Sequence, residues 1–236
     1  MSPRFRRRLP AWAAFALNLL AAFVVAGLIQ SFVVKLYRVP SGSMEPTLQG
    51  SANDGDRILV NRLAYLGGSP QAGDVVVFTR PAMWRPGATD DDGGPGSAVR
   101  AFGDLTGIGQ GSELYLVKRV AARGGQTIAC CDGQGRVQRN GVAINEPYVT
   151  KDLPFEPGRL DCATAIRSSR CFGPFTVPDG ELVVLGDHRS ASADSVIACR
   201  AAAPVAEQCL RTVPVGAVVG RVEARIWPLG RIGLLA

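Results

Sequence analysis

The sequence predicts a mostly β domain carried behind a single N-terminal membrane helix. Three observations predict it: an uncharged apolar run from Ala11 to Val34, short Val/Ile/Leu-rich segments recurring after it between Gly, Pro, Asn and Asp, and no long helical period beyond it. With 236 residues, 47% of them hydrophobic, the chain can bury one substantial core once the membrane segment is set aside.

Residues 1–10 form a basic tail. Arg4, Arg6, Arg7 and Arg8 supply four charges of a formal net charge of +6, so the rest of the chain is only mildly basic. Without a basic stripe interleaved with aromatics, nucleic acid is not an expected partner. Residues 11–34 follow as AWAAFALNLLAAFVVAGLIQSFVV. As a helix this run is about 36 Å long against a hydrocarbon core of about 30 Å. A cleavable secretory signal has a shorter apolar region and a small-residue cleavage site. The following QSFVVKLYRV offers no such site, so a retained anchor is predicted. The arginines before the span stay cytoplasmic by the positive-inside rule, which puts the chain beyond Lys35 outside the cytoplasm.

Residues 35–236 form the exported domain. Its predicted strands are 56–63, 74–79, 113–122, 136–144, 181–186 and 217–228, with Asn140-Gly141 as a two-residue hairpin turn. Residues 85–112, dense in Gly and Asp, and residues 150–180 are expected as surface insertions. All six cysteines follow the span and none has C-x-x-C spacing, so disulfides in an oxidising compartment are expected rather than a metal site. Cys162 with Cys171, and Cys199 with Cys209, are near enough to close short loops worth roughly 2.5 to 3 kcal/mol each. Six cysteines allow about 15 pairings, and connectivity stays open. Cys130 and Cys131 are adjacent, a spacing that bridges only with strain, and either is free or paired elsewhere.

Chemistry concentrates in three segments. VPSGSMEPTL, Val39 to Leu48, places Ser43 just past the membrane between two prolines. A serine is a weak nucleophile until a base takes its proton. His188 is the only histidine. Of the three lysines, Lys35 sits at the membrane boundary and Lys151 in a polar loop. Lys118 instead lies in ELYLVKRV, where strand alternation sets it beside Leu114, Leu116 and Val120. Desolvation there lowers its pKa toward the neutral amine that a general base requires. LGDHRSASADSV, Leu185 to Val196, follows an apolar strand, and its Ser192 and Asp194 are candidates to orient the lysine amine.

Together these segments resemble the bacterial type I signal peptidases. PSGSMEPTL matches the nucleophile motif, GDVVVF at Gly73 to Phe78 a strand motif, LVKRV at Leu116 to Val120 the lysine motif, and GDHRSASADS at Gly186 to Ser195 the final motif. The resemblance implies an extracytoplasmic antiparallel β-sheet or barrel-like catalytic domain. It implies Ser43 as acylated nucleophile and Lys118 as general base, with the Ser41 hydroxyl and Ser43 N–H as oxyanion hole. Ser192 would position the amine, while Asp187 and Asp194 would hold the loops, Asp187 against Arg119. Implied further are exported preproteins as substrates, cleaved after small residues in an A-x-A-like pattern, and a single-pass protein of the bacterial cytoplasmic membrane. No metal or organic cofactor is implied, and a monomer is expected.

Three departures from that family pattern stand out. His188 replaces the usual asparagine, Val196 stands where an arginine normally follows Asp-Ser, and ARGGQ at Ala122 to Gln126 lacks Pro-Gly-Asp. They leave Asp194 with Arg200 or with no ionic partner. Competing readings are a pilin-maturing or repressor-type Ser/Lys peptidase, a silent membrane-anchored module that binds signal peptides, and a Ser43, His188 and Asp187 triad.

Overall fold

The computed structural model describes residues 10–51, 54–84, 115–200 and 209–235, apart from the side chains of 26 and 28–31. The expected insertion 85–112, the arginine tail 1–9 and Leu114 lie outside the described residues.

One helix, α1 (Ala11–Phe32), precedes the sheets and carries no charge. Among the described residues no helix is long and apolar enough to cross a membrane. The chain then turns directly into β1 (Val34–Arg38), so Val34 and Lys35 belong to a strand rather than to the end of the apolar helix. Lys35 lies over the rings of Tyr37 and Tyr115, 5.1 and 5.6 Å from their centroids.

The larger sheet adds β2 (Arg57–Asn61), β3 (Val75–Thr79), β4 (Tyr115–Arg123), β9 (Glu181–Leu185), β10 (Val213–Pro214), β11 (Val218–Trp227) and β12 (Gly233–Leu234). Its order is β1-β2-β11-β3-β4-β9-β10, with β12 on β11, and each pairing is antiparallel. The path ends at β1 and β10, so among the described residues it is an open sheet and not a closed barrel. The smaller sheet has the order β7-β6-β5-β8, from β5 (Thr127–Cys130), β6 (Val137–Arg139), β7 (Val142–Ala143) and β8 (Phe172–Thr176). Asn140 and Gly141 join β6 to β7 with φ of 52° and 75°, the positive values that such a turn requires.

Strand β3 explains why the central sheet is apolar on both faces. Val75 and Val77 pack with Tyr37, Met44, Leu48 and Ile58, whereas Val76 and Phe78 pack with Trp84, Leu182 and Val213. A third cluster, around Ile128, Phe172, Phe175 and Leu185, joins the two sheets. The 150–180 stretch is therefore only partly an insertion. Its last residues form β8, because Phe172 and Phe175 fill that third cluster while β8 pairs with β5.

All six cysteines are bonded: Cys162 to Cys171, Cys199 to Cys209, and Cys130 to its neighbour Cys131. The last corrects the expectation that neighbours stay free or pair elsewhere. Both residues sit where β5 ends, Cys130 inside the third cluster and Cys131 packed against it. The sulfurs of Cys131, Cys162 and Cys171 lie within 4.8 Å of one another, but disulfide bonding leaves no thiolate to hold a cation.

Candidate active site

The nucleophile segment lies between β1 and β2 and is held by its own backbone. A single 3₁₀ turn, Gly42–Met44, follows Ser41, and the Leu48 N–H donates to the Met44 carbonyl at 2.9 Å. Met44 and Leu48 anchor it in the core at 1% and 0% exposure. Gly50 backs the turn so closely that a Cβ there would stand 1.7 Å from the Ser41 carbonyl oxygen, which leaves room for no side chain.

Strand β4 brings Lys118 to this turn. The ammonium nitrogen donates to Ser43 Oγ at 2.5 Å, with the two residues 3% and 8% exposed. Ser41 Oγ lies 3.3 Å from Ser43 Oγ. Burial pushes the Lys118 pKa down to about 8, and Asp194 and Asp187 oppose the fall without cancelling it. At pH 7 about a tenth of such an amine is neutral, against a few in ten thousand for an ordinary lysine.

The third segment arrives because β9 pairs with β4 in the register Arg119↔Leu185, so Gly186, Asp187 and His188 emerge beside the lysine. Asp187 is fully buried and accepts from Arg119 through both oxygens, at 2.9 and 2.7 Å. It also accepts from the Thr47 hydroxyl at 2.5 Å. One carboxylate thus ties the base strand to the residue four beyond the nucleophile. Arg119 is further fixed by the Gly73 carbonyl and by the Tyr148 ring, 3.9 Å from its guanidinium carbon. Asp194, also fully buried, has Arg200 at 3.4 Å and accepts from the backbone N–H groups of Gly186 and Val196 at 3.4 and 3.3 Å.

Ser192 behaves differently from expectation. Its hydroxyl is buried without a hydrogen-bond partner, so the expected bond to the lysine amine is not formed. Close packing holds it there: a Cβ on Gly186 would lie 2.2 Å from Ser192 Oγ and 2.5 Å from the Ser43 carbonyl oxygen.

Ser41, Gly42, Ser43, Glu45, Leu116, Lys118, His188, Ala191 and Ala193 line a cavity of about 340 Å³. Two larger hollows of about 500 Å³ elsewhere contain no nucleophile beside a base, and chemistry decides for the smaller. A buried serine hydrogen-bonded to a lysine kept partly neutral, at the wall of an open cavity, is an arrangement for acyl transfer.

A family model described as signal peptidase, peptidase S26, matches residues 12–227. The chain belongs to that peptidase family. Among similar signal peptidases, the signal peptidase I of Mycobacterium tuberculosis is 38% identical over 228 residues, 94% of this chain and 74% of that one. The probable signal peptidase I of Mycobacterium leprae is 36% identical over 242 residues, 97% of this chain and 80% of its own. Signal peptidase I T of Bacillus subtilis is 29% identical over 174 residues, 74% of this chain and 69% of its own.

For a signal peptidase, several supports of this site carried no signal by themselves. Thr47 reads as an ordinary residue after a proline, and Tyr148 lies in a loop remote in sequence. Arg189, 4% exposed and bonded through both terminal nitrogens to Glu146, holds the loop after His188. Its place within GDHRS was the only hint.

Proposed function

We propose that this chain is a membrane-anchored serine endopeptidase that removes signal peptides from exported preproteins by a Ser43–Lys118 dyad. The observation that carries the dyad is the buried 2.5 Å hydrogen bond between Lys118 Nζ and Ser43 Oγ. The neutral amine takes the Ser43 proton as Oγ attacks the scissile carbonyl carbon. The Ser43 N–H and Ser41 hydroxyl stabilise the oxyanion. Collapse breaks the C–N bond, and the lysine proton leaves with the new amino terminus. Lys118 then deprotonates a water that hydrolyses the Ser43 ester and frees the signal peptide as a carboxylate. Asp187 and Asp194 hold the loops around the pair. No step calls on a metal or organic cofactor.

Substrate binding as an added strand is supported by the edge of β4. Residues Tyr115 to Lys118 pair with β3 on one side, while β9 begins pairing only at Arg119. Among the described residues the other edge of Tyr115–Lys118 has no strand partner, and an extended peptide fits there beside Ser43. Leu116, Ala191 and Ala193 give the cavity a shallow apolar wall suited to small side chains. An anchor built on α1, Ala11–Phe32 and uncharged throughout, keeps Ser43 within about 36 Å of the bilayer, eleven residues on. It keeps residues 35–236 on the extracytoplasmic face, as a monomer.

The test is cleavage of a purified preprotein with an A-x-A site by the full chain in detergent. Wild type releases the mature protein and Ser43→Ala does not, and the chain stays in the membrane pellet after alkaline carbonate. Equal cleavage by Ser43→Ala would remove the nucleophile assignment, and release into the carbonate supernatant would remove the anchor.

A further inference from the structure

His188 occupies a place that neither the nucleophile nor the base explains. Its backbone N–H donates to the Ser43 carbonyl at 3.1 Å, and its Nδ1 lies 3.2 Å from the Gly42 carbonyl oxygen. A carbonyl oxygen only accepts, so the ring must be the donor there, with its proton on Nδ1. The same oxygen also accepts from the Glu45 N–H at 3.1 Å, so both its lone pairs are engaged from two directions.

The Gly42 carbonyl and the Ser43 N–H belong to one planar peptide unit. In a trans unit the C=O and N–H vectors point in opposite directions, so fixing one fixes the other. A donor on the carbonyl also polarises the amide and makes its N–H a better donor. We infer that His188 is the positioning residue of the oxyanion hole: by holding the Gly42 carbonyl it aims the Ser43 N–H at the developing oxyanion. It takes no proton from Ser43. The inference rests on the Ser43 N–H acting as an oxyanion donor, as proposed above.

Losing an oxyanion donor outright costs about 10²- to 10³-fold in kcat, so a plane still held by Glu45 costs less, roughly 10-fold. His188→Ala is therefore expected to lower kcat about 10-fold with KM within about twofold, because the misaimed donor matters chiefly in the transition state. His188→Asn, whose amide can donate to the same carbonyl, restores most of the loss. A peptide boronate bearing the A-x-A sequence reports the hole directly, since its tetrahedral adduct on Ser43 places an oxygen there. Its affinity should fall by the same factor as kcat in His188→Ala and recover in His188→Asn, a match that a purely structural role does not produce.

Wild-type kcat in His188→Ala, a loss confined to KM, or unchanged boronate affinity overturns the inference. Complete inactivity of His188→Ala, with a folded protein by circular dichroism, overturns it in favour of a histidine base. Lys118→Ala, assayed beside it, separates the two readings, because an active Lys118→Ala variant removes the dyad whatever His188 does.

Discussion

Lys118→Ala is expected to abolish preprotein processing, with kcat/KM at least about 10³-fold below wild type, while the variant stays folded. General base catalysis alone contributes about 10²- to 10⁴-fold. Among the described residues the hydrogen-bond partners of Ser43 Oγ are Lys118 Nζ and the Ser41 hydroxyl, and the His188 ring bonds the Gly42 carbonyl rather than that oxygen. Stability should move the other way. A buried amine whose pKa has fallen from 10.5 to about 8 favours the unfolded chain below pH 8, because the unfolded chain binds that proton more tightly. Removing it relieves that penalty and leaves a hole beside Leu116. Melting by circular dichroism should therefore place Lys118→Ala close to or above wild type at pH 6, in contrast to its activity. An Arg at 118 does not rescue, since a guanidinium stays charged.

Asp187→Ala carries the second large effect, on stability and activity together. The carboxylate is fully buried and satisfies Arg119 twice and Thr47 once. Removing it strands a guanidinium that is 5% exposed, and breaking a buried pair from one side costs about 3 to 5 kcal/mol. The damage does not stay local. Arg119 adjoins the base and Thr47 closes the nucleophile segment, so the Lys118–Ser43 distance loses its brace. Urea titration is expected to show that loss, together with kcat reduced by more than about 10²-fold even in the fraction still folded. Asp187→Asn keeps the shape and two hydrogen-bonding atoms but not the charge, and should fall between the two. A double variant with Arg119→Leu should recover part of the stability and none of the activity.

The legible parts of the sequence were those in which one local pattern decides. Short Val/Ile/Leu-rich runs between turn residues placed β2, β3, β9 and β11 within a residue or two, and Asn140-Gly141 announced its hairpin. Ser43 and Lys118 stood out because a serine near a membrane needs a base, and only one lysine lies in an aliphatic strand. Their approach across 75 positions follows from sheet order, which no local pattern contains. Other elements were hidden for physical reasons. Strand β1 is not among the predicted strands: its first residue, Val34, extends the apolar run and reads as the end of the helix, and the short VKLYR segment carries no turn signal before it. Strand β8 is interrupted by Gly173 and Pro174 and is set by its pairing with β5, a long-range contact. Thr47, Tyr148 and the His188 clamp act through geometry between segments, and their residue types announce nothing.

The pH dependence of kcat/KM on a preprotein, measured for wild type and His188→Ala, tests the central claim most directly. If neutral Lys118 is the base, activity rises with pH along an acid limb of apparent pKa about 8. That limb persists in His188→Ala, at a lower plateau. An acid limb near the ordinary histidine value of about 6.5 that disappears in His188→Ala would contradict the dyad and make His188 the base.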